Sequence, residues 1–251
     1  MANPRTLRRN RDGCGIRLCL AKGRRRILSE MPADNRFHEI EIKLAVSDLI
    51  ELKRALKRLR ARKISTRTYE RNTLYDTPRQ DLRRQGQLIR IRTEWTAMGT
   101  RAARPRADGR AILTYKAPAR ARRAGGNSRA GAEAERFKVK QEYEVVVTGA
   151  DQLARILGGL GLRPAFQYEK YRTTYLLPGI RGVKIELDES PVGNYLELEG
   201  SPNAIDRAAK LLGYTPADYI RDTYAALYLA DCRRRGHKPG HMLFPNEKKL
   251  R

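Results

Sequence analysis

The feature that most constrains the fold of this chain is a strict alternation of charged and apolar residues. Residues 37–44 read FHEIEIKL, so in a β-strand Glu39, Glu41 and Lys43 fall on one face and apolar side chains on the other. The same alternation recurs in LIRIR (88–92), FKVKQEYEV (137–145), EKYRTTY (169–175), VKIELDE (183–189) and YLELEG (195–200). One such segment is typical of a half-buried strand with a solvated outer face. Six of them together predict a sheet with one continuous charged face.

Eight strand candidates and four helix candidates follow one another along the chain, separated by turn signals. Helices are predicted over residues 47–63, with Ser47 as N-cap, over residues 149–162, and after the pairs Ser201-Pro202 and Thr215-Pro216. Most strands are joined by hairpin-like connections. The sequence therefore predicts an α+β fold with an antiparallel sheet or closed barrel rather than a parallel βαβ fold.

The helices indicate which way the charged face points. Leu49, Leu52, Leu56 and Leu59 form an apolar stripe on the first helix, and such a stripe needs an apolar surface to pack against. If the helices cover the outside of a barrel, the apolar faces of the strands point outward and the charged faces line the interior. The alternative is an ordinary barrel with its charges in solvent.

A charged interior implies a charged ligand, because buried charges without partners are unstable. Arginine and lysine suit phosphate oxygens. The carboxylate pairs Glu39/Glu41 and Glu197/Glu199 suit Mg²⁺ or Mn²⁺, which prefer oxygen ligands and share phosphate oxygens. The composition of this face predicts a metal-bridged polyphosphate as ligand.

The formal net charge of +25 suggests a nucleic acid or another polyanion as partner. Most of the excess positive charge lies in residues 1–36, 97–138 and 232–251. The first and last of these segments look like terminal extensions, and the middle one looks like a low-complexity connection. A nucleic-acid partner bound through these segments is therefore not favoured.

The predicted organisation is a basic, disordered N-terminal extension over residues 1–35, one domain over 36–231, and a basic C-terminal tail over 232–251. Ordered-looking sequence begins just after Met31, which is an alternative start to Met1. The three cysteines cannot form a full disulfide framework, and no apolar run is long enough to span a bilayer. A reduced, cytoplasmic setting without membrane association fits best.

Other chemistries find little support. The three histidines are His38, His237 and His241, and the last two lie in the predicted tail, so neither a zinc site nor a Ser/His/Asp triad is indicated. No glycine-rich phosphate-binding motif follows a predicted strand.

The charged segments resemble, in order, the motifs of the CYTH domain superfamily, the triphosphate tunnel metalloenzymes. Residues 39–43 match its ExExK signature. The later matching blocks are LYDTPRQDLRRQGQLIRIR (74–92), LTYKAP (113–118), EYEV (142–145), EKYRTTY (169–175) and LDESPVGNYLELEG (187–200). Six blocks in order are a specific signal, although ExExK alone would be weak. The resemblance covers about Phe37 to Asp231.

This resemblance implies an eight-stranded antiparallel β-barrel, or tunnel, with helices packed on its outside and a triphosphate bound lengthwise. It assigns phosphate binding to Lys43, Arg90, Arg92, Lys116, Lys170 and Arg172. It assigns divalent metal binding to Glu39, Glu41, Asp188, Glu197 and Glu199. Glu142 or Lys140 is expected to orient the attacking water. Some members close the tunnel with a basic residue of the C-terminal helix, for which Arg221 is the candidate here.

The leading functional hypothesis is a Mg²⁺- or Mn²⁺-dependent triphosphatase acting on inorganic triphosphate or a small organic triphosphate, as a monomer or homodimer. One alternative within the same fold is a class IV-type adenylate cyclase, although no residue marks a nucleoside pocket. The other alternative is a non-catalytic polyphosphate- or RNA-binding module, whose affinity would fall steeply with salt.

Overall fold

The computed structural model describes residues 38–98, 101–102, 111–119 and 136–245. The predicted N-terminal extension lies outside the described residues, as do most of the Arg-rich stretches between residues 97 and 136 and the last six residues of the predicted tail. The described part of the chain contains no helix that is long and apolar enough to cross a membrane.

Ten strands and five helices are found among the described residues. The strands are β1 (His38–Val46), β2 (Arg62–Lys63), β3 (Thr68–Asp76), β4 (Leu88–Met98), β5 (Arg101–Ala102), β6 (Ala111–Pro118), β7 (Lys138–Val147), β8 (Arg163–Leu176), β9 (Val183–Ser190) and β10 (Gly193–Gly200). The helices are α1 (Leu49–Arg58), α2 (Asp81–Arg84), α3 (Ala150–Gly159), α4 (Pro202–Leu211) and α5 (Tyr224–Arg235).

Eight of the strands close into an antiparallel barrel in the order β8-β3-β4-β6-β7-β1-β10-β9, and β9 pairs with β8 to complete the ring. The short strands β2 and β5 add to β8 and β4 outside this ring. The predicted fold class, an eight-stranded antiparallel barrel with helices on its outside, is confirmed.

Helix packing fixes the orientation of the side chains. Leu52 and Leu56 of α1 and Ile205 of α4 form one core with Ile42 of β1 and Leu198 of β10, all of them buried. Because neighbouring residues on a strand point to opposite faces, these contacts turn the charged faces of β1 and β10 into the barrel. The barrel is therefore inverted, as predicted, with its apolar core on the outside under the helices.

Two predicted helix starts differ from the structure. Asp48, not Ser47, is the N-cap of α1, because its carboxylate accepts hydrogen bonds from the N–H groups of Ile50 and Glu51 at 2.8 and 2.9 Å. Thr215 caps only a short 3₁₀ turn, Pro216–Asp218.

The last helix begins later than predicted because the chain first pairs with the barrel. Ile220 exchanges two backbone hydrogen bonds with Lys43 of β1, each of 2.8 Å, which requires an extended conformation. Helix α5 then starts at Tyr224, where Thr223 is the N-cap and accepts a hydrogen bond from the N–H of Ala226. The C-terminal segment is thereby tied to one edge of the barrel.

Beyond α5 the chain is tied to a second edge. The N–H of Met242 donates to the carbonyl of Gln167, and the carbonyl of Met242 accepts from the N–H of Glu169, at 3.0 and 2.9 Å. Met242 is fully buried and packs with Tyr168 and Tyr224. Residues 220–242 therefore cross one end of the barrel from β1 to β8.

The C-terminal cap consists of Tyr224, Leu227, Tyr228 and Met242, which pack against Leu74, Phe166, Tyr168, Val192 and Tyr195 of the barrel end. At this end aromatic and apolar groups pack over the interior. Val146 and Glu94 lie towards the opposite end and are exposed. Within the described residues, the interior therefore becomes more accessible away from the cap.

Candidate triphosphate-binding site

The predicted site residues lie on strand positions that face the barrel interior. The buried members are Glu41, Lys43, Arg90, Arg92, Lys170, Asp188 and Glu197. Glu39, Lys116, Glu142 and Arg172 are nearly as shielded, with side-chain exposures between 9% and 19%. Their ion pairs cross from strand to strand, and the contact between Lys116 of β6 and Glu39 of β1 spans the intervening strand β7.

Asp188 is the most completely enclosed carboxylate of the site, with no exposed surface. It accepts hydrogen bonds from Lys170 at 2.8 Å, from Arg172 at 2.7 and 2.6 Å, and from the hydroxyl of Tyr224 at 2.7 Å. Tyr224 also presents its ring to the ammonium groups of Lys170 and Lys43, at 5.0 and 5.4 Å from the ring centroid. In this structure Asp188 therefore orients two predicted phosphate-binding cations.

The carboxylates of β1 and β10 enclose Lys43. Its ammonium lies 3.1 Å from Glu197 and 3.4 Å from Glu41, and Lys138 forms a further ion pair with Glu41. Burial opposes ionisation of Glu41, but the charges of Lys43 and Lys138 outweigh it and lower the pKa of its carboxyl. Burial likewise opposes the charge on Lys43, and Glu197 and Glu41 raise its pKa. Glu41 and Lys43 are therefore both ionised at neutral pH.

Glu142 differs from Glu41 in the direction of its pKa shift. Lys116 lies 3.3 Å from Glu142 but also forms a closer ion pair with Glu39. Burial raises the pKa of Glu142 to about 7, since the charge of Lys116 is opposed by the neighbouring carboxylates of Glu39 and Glu144. Glu142 can consequently exchange a proton near neutral pH, as a general base must.

Arg90 and Arg92 project side by side from β4. Both approach Glu144, at 3.4 and 3.5 Å, and Arg90 also donates to Thr114 and to the hydroxyl of Tyr168, each at 3.1 Å. Burial opposes the charge on Arg90, but the hydroxyl of Tyr168 and the carboxylate of Glu144 raise its pKa. Both guanidinium groups therefore present fixed positive charge to the interior.

Lys140, the second predicted catalytic residue, donates to the carbonyl oxygen of Gly86 at 3.0 Å. Burial and the positive charges of Lys138 and Lys116 lower its pKa. Its side chain is thus held by the connection between β3 and β4. Its catalytic role stays a prediction.

The donor chemistry of the site fits a hard divalent cation. Glu41 and Glu199 are paired across β1 and β10, as are Lys43 and Glu197. Burial raises the pKa of Glu199, and the carboxylates of Glu186 and Glu39 add to this effect against the charge of Lys184. Converging carboxylates that raise one another's pKa suit a cation with oxygen ligands.

No group of three Asp, Glu, His or Cys side chains in the described part of the chain is already arranged around a metal position. The carboxylates are instead held by lysine and arginine side chains. Glu39, Glu41, Glu197 and Glu199 are the residues that would hold the ion, and Asp188 stays a predicted ligand. Their assignment to metal binding stays a prediction.

Sequence reasoning missed four interior groups: Glu70 and Asn72 of β3, Tyr168 of β8 and Tyr224 of α5. Glu70 lies 3.6 Å from Lys170. Burial opposes its ionisation, but Lys170 and Arg172 lower its pKa to about 2. In β3 the segment YERNTLYDT (69–77) carries polar residues on both faces, so its alternation gives no clear inner face. The aromatic groups resemble ordinary core residues in sequence.

The barrel is closed and antiparallel, its interior carries opposed carboxylates and cations, and its helices lie outside. These features define a class of charged-tunnel proteins. The sequence matches the CYTH domain model over residues 38–224. The chain belongs to the CYTH domain family, the triphosphate tunnel metalloenzyme superfamily. No curated protein matches the chain in sequence.

Three solved structures show the same fold. One is described as a putative adenylate cyclase from Vibrio parahaemolyticus, with 16% identity, a TM-score of 0.57, and coverage of 75% of this chain and 96% of that one. Two are proteins of Pyrococcus horikoshii OT3. The first has 22% identity, a TM-score of 0.57, and coverage of 77% and 99%. The second has 20% identity, a TM-score of 0.50, and coverage of 74% and 96%.

Proposed function

We propose that this protein is a divalent-metal-dependent triphosphatase that hydrolyses the terminal phosphate of inorganic triphosphate or of a small organic triphosphate. The observation that carries the proposal is the pKa of the Glu142 carboxyl, which is about 7. Glu142 adjoins an interior lined with buried cations. Its pKa of about 7 contrasts with the lowered pKa values of Glu41 and Glu70 in the same barrel.

The chain's own cations would bind and orient the phosphates. Lys116 and the pair Arg90 and Arg92 lie on neighbouring strands, and Lys170 and Arg172 face them from β8. Triphosphate oxygens would replace carboxylates as partners of these cations, and no new positive charge need be brought into the interior. Mg²⁺ or Mn²⁺, when bound by the β1 and β10 carboxylates, would neutralise phosphate charge and polarise the terminal phosphoryl group.

Glu142 is the residue best suited to accept a proton from the attacking water. The water oxygen forms a bond to the terminal phosphorus as the bond from that phosphorus to the bridging oxygen breaks. The proton of the water passes to Glu142, and the remaining pyrophosphate, or organic diphosphate, leaves with the bridging oxygen and its negative charge. The cations Lys116 and Arg90, which face Glu142, would stabilise the charge of the transition state.

The test is release of orthophosphate from tripolyphosphate with Mg²⁺ or Mn²⁺, comparing the wild type with Glu142→Gln and with Glu39→Gln/Glu41→Gln. We expect metal-dependent release that falls at least about 100-fold in Glu142→Gln, the size of a typical general-base contribution. Arg54→Gln in α1, where Arg54 is an exposed surface cation, is the matched control and should retain activity.

The same experiment with ATP separates the alternatives. A hydrolase releases orthophosphate from ATP, whereas a cyclase releases pyrophosphate and cyclic AMP. Pyrophosphate release would replace the present proposal by the cyclase. Metal-independent binding that weakens steeply with salt and is never followed by product would replace it by a binding module.

A further inference from the structure

Asn72 of β3 is a buried amide that the fold leaves without a partner. Asn72 has no surface exposed to solvent. No hydrogen bond within the described residues reaches either its Oδ1 or its Nδ2 atom. An unsatisfied buried polar group destabilises a fold by about 1–3 kcal/mol. Such a group is usually satisfied by an ordered water, an ion or a bound ligand.

The position of Asn72 indicates what that partner is. In the register of the barrel it lies opposite Arg92 of β4 on one side and opposite Tyr168 of β8 on the other. The hydroxyl oxygen of Tyr168 accepts a hydrogen bond from Arg90, and the Tyr168 ring packs against Tyr224 of the C-terminal cap. Asn72 therefore lies level with Arg92, and Arg90, which pairs with the cap-contacting Leu74, lies one inward-facing position nearer the closed end.

Its neighbour Arg90 has an unused hydrogen-bond donor as well. The Nε atoms of Arg90 and Arg92 are buried and make no hydrogen bond within the described residues, although Arg92 Nε forms an ion pair with Glu94 at 2.9 Å. The amide Nδ2 of Asn72 adds a second buried donor without a partner. Two unpaired donors beside the charged Arg92 suit an oxyanion.

We propose that Asn72 is a substrate-binding residue whose amide nitrogen donates to the phosphoryl group that enters the barrel furthest, next to the C-terminal cap. This inference rests on the proposed function, because it takes the triphosphate as the ligand. The deepest phosphoryl group is thereby bound by an uncharged donor together with Arg90 and Arg92. A triphosphate with one unsubstituted end fits this site, since the groups packed at this end of the barrel are the aromatic and apolar side chains of the C-terminal cap.

The test compares Asn72→Leu, Asn72→Asp and the wild type. Leucine has nearly the same size as asparagine but no polar atoms, and aspartate keeps the shape but replaces the donor by a negative charge. Thr73→Val on the same strand is the matched control, because Thr73 points to the opposite face. The first measurement is calorimetric binding of the bis-imido analogue of tripolyphosphate with Mg²⁺. The second is the thermal unfolding midpoint without ligand or metal.

We expect the dissociation constant of the analogue to rise about 10- to 100-fold in Asn72→Leu, as for loss of a hydrogen bond to a charged group, and further in Asn72→Asp. Asn72→Leu should also raise the unfolding midpoint of the free protein. This opposite effect on binding and stability separates a ligand contact from a structural residue. Thr73→Val should leave the dissociation constant unchanged.

Wild-type affinity in both Asn72 variants would overturn the inference. A lower unfolding midpoint with unchanged affinity would also overturn it, since Asn72 would then be an ordinary structural residue satisfied by water. If the wild type binds the analogue through Asn72 but releases no orthophosphate from tripolyphosphate, the inference stands and the proposed hydrolase falls. If the wild type does not bind the analogue, both fall.

Discussion

Replacing Glu142 by glutamine should make the protein more stable, and only above a defined pH. The unfolded carboxyl has its ordinary pKa of 4.5, whereas burial in the barrel raises the pKa to about 7. Between these values the folded state binds more protons than the unfolded state. The free energy of unfolding of the wild type therefore falls as pH rises from about 4.5 to 7, and the loss is complete above that interval.

The size of the effect follows from the two pKa values. Their difference corresponds to about 3 kcal/mol, because one pKa unit is about 1.4 kcal/mol. The Glu142 side chain is 19% exposed, so solvent screening removes only part of this free-energy difference. Glutamine has the same shape and no charge at any pH. The free energy of unfolding of Glu142→Gln should thus exceed that of the wild type by about 2–3 kcal/mol at pH 8 and by less than about 1 kcal/mol at pH 5.

The assay is urea unfolding at pH 5, 6, 7 and 8 with EDTA and without phosphate, so that neither metal nor ligand changes the charge around Glu142. Glu51→Gln is the matched control. Glu51 is exposed on α1, and its hydrogen bond with Arg58 lowers its pKa, so the substitution should give no gain at high pH. A stability difference between Glu142→Gln and wild type that does not change from pH 5 to pH 8 would refute the reasoning.

Four further substitutions test other parts of the structure by urea or thermal unfolding. Asp188→Ala should lower the free energy of unfolding by about 3–5 kcal/mol, because it leaves buried cations without their partner; a loss below about 1 kcal/mol would contradict the buried network. Gly200→Ala should destabilise the barrel, since a Cβ there would overlap the carbonyl oxygen of Gly182. Gly158→Ala in α3, where a Cβ meets nothing within 4 Å, should instead stabilise by roughly 0.5–1 kcal/mol, and equal effects of the two would be inconsistent with this packing. Met242→Ala should cost about 2–5 kcal/mol if the C-terminal cap is part of the folded domain, and an unchanged unfolding midpoint would exclude that.

The sequence predicted the inner faces of the strands wherever charge alternated with apolar residues. In β1 and β10 every second residue is apolar, so the side that meets the helices is unambiguous once the helices are placed outside. In β3 the alternation fails, because Arg71 on the outer face is as polar as Glu70 and Asn72 on the inner face. The inner face of β3, and with it the unpartnered amide of Asn72, could be found only from the strand register.

Individual pairings within the charged interior also could not be predicted from sequence. Asp188 was predicted from the motif as a metal ligand, yet in the structure its oxygens accept from Lys170, Arg172 and Tyr224. These donors lie on β8 and α5, far from Asp188 in the chain. Glu142 and Glu144 look equivalent in sequence, and their different surroundings arise from which cations the neighbouring strands bring near them.

The sequence by itself determined the barrel, its inversion and the charged character of its interior, because these follow from local alternation and from helices that need an apolar surface. The tertiary structure alone decided which end of the barrel is closed. Closure depends on Ile220 pairing with β1, on Met242 pairing with β8, and on Tyr224 reaching Asp188 between them. These contacts join segments distant in sequence through backbone hydrogen bonds and aromatic packing, and no local pattern of residue types encodes such contacts.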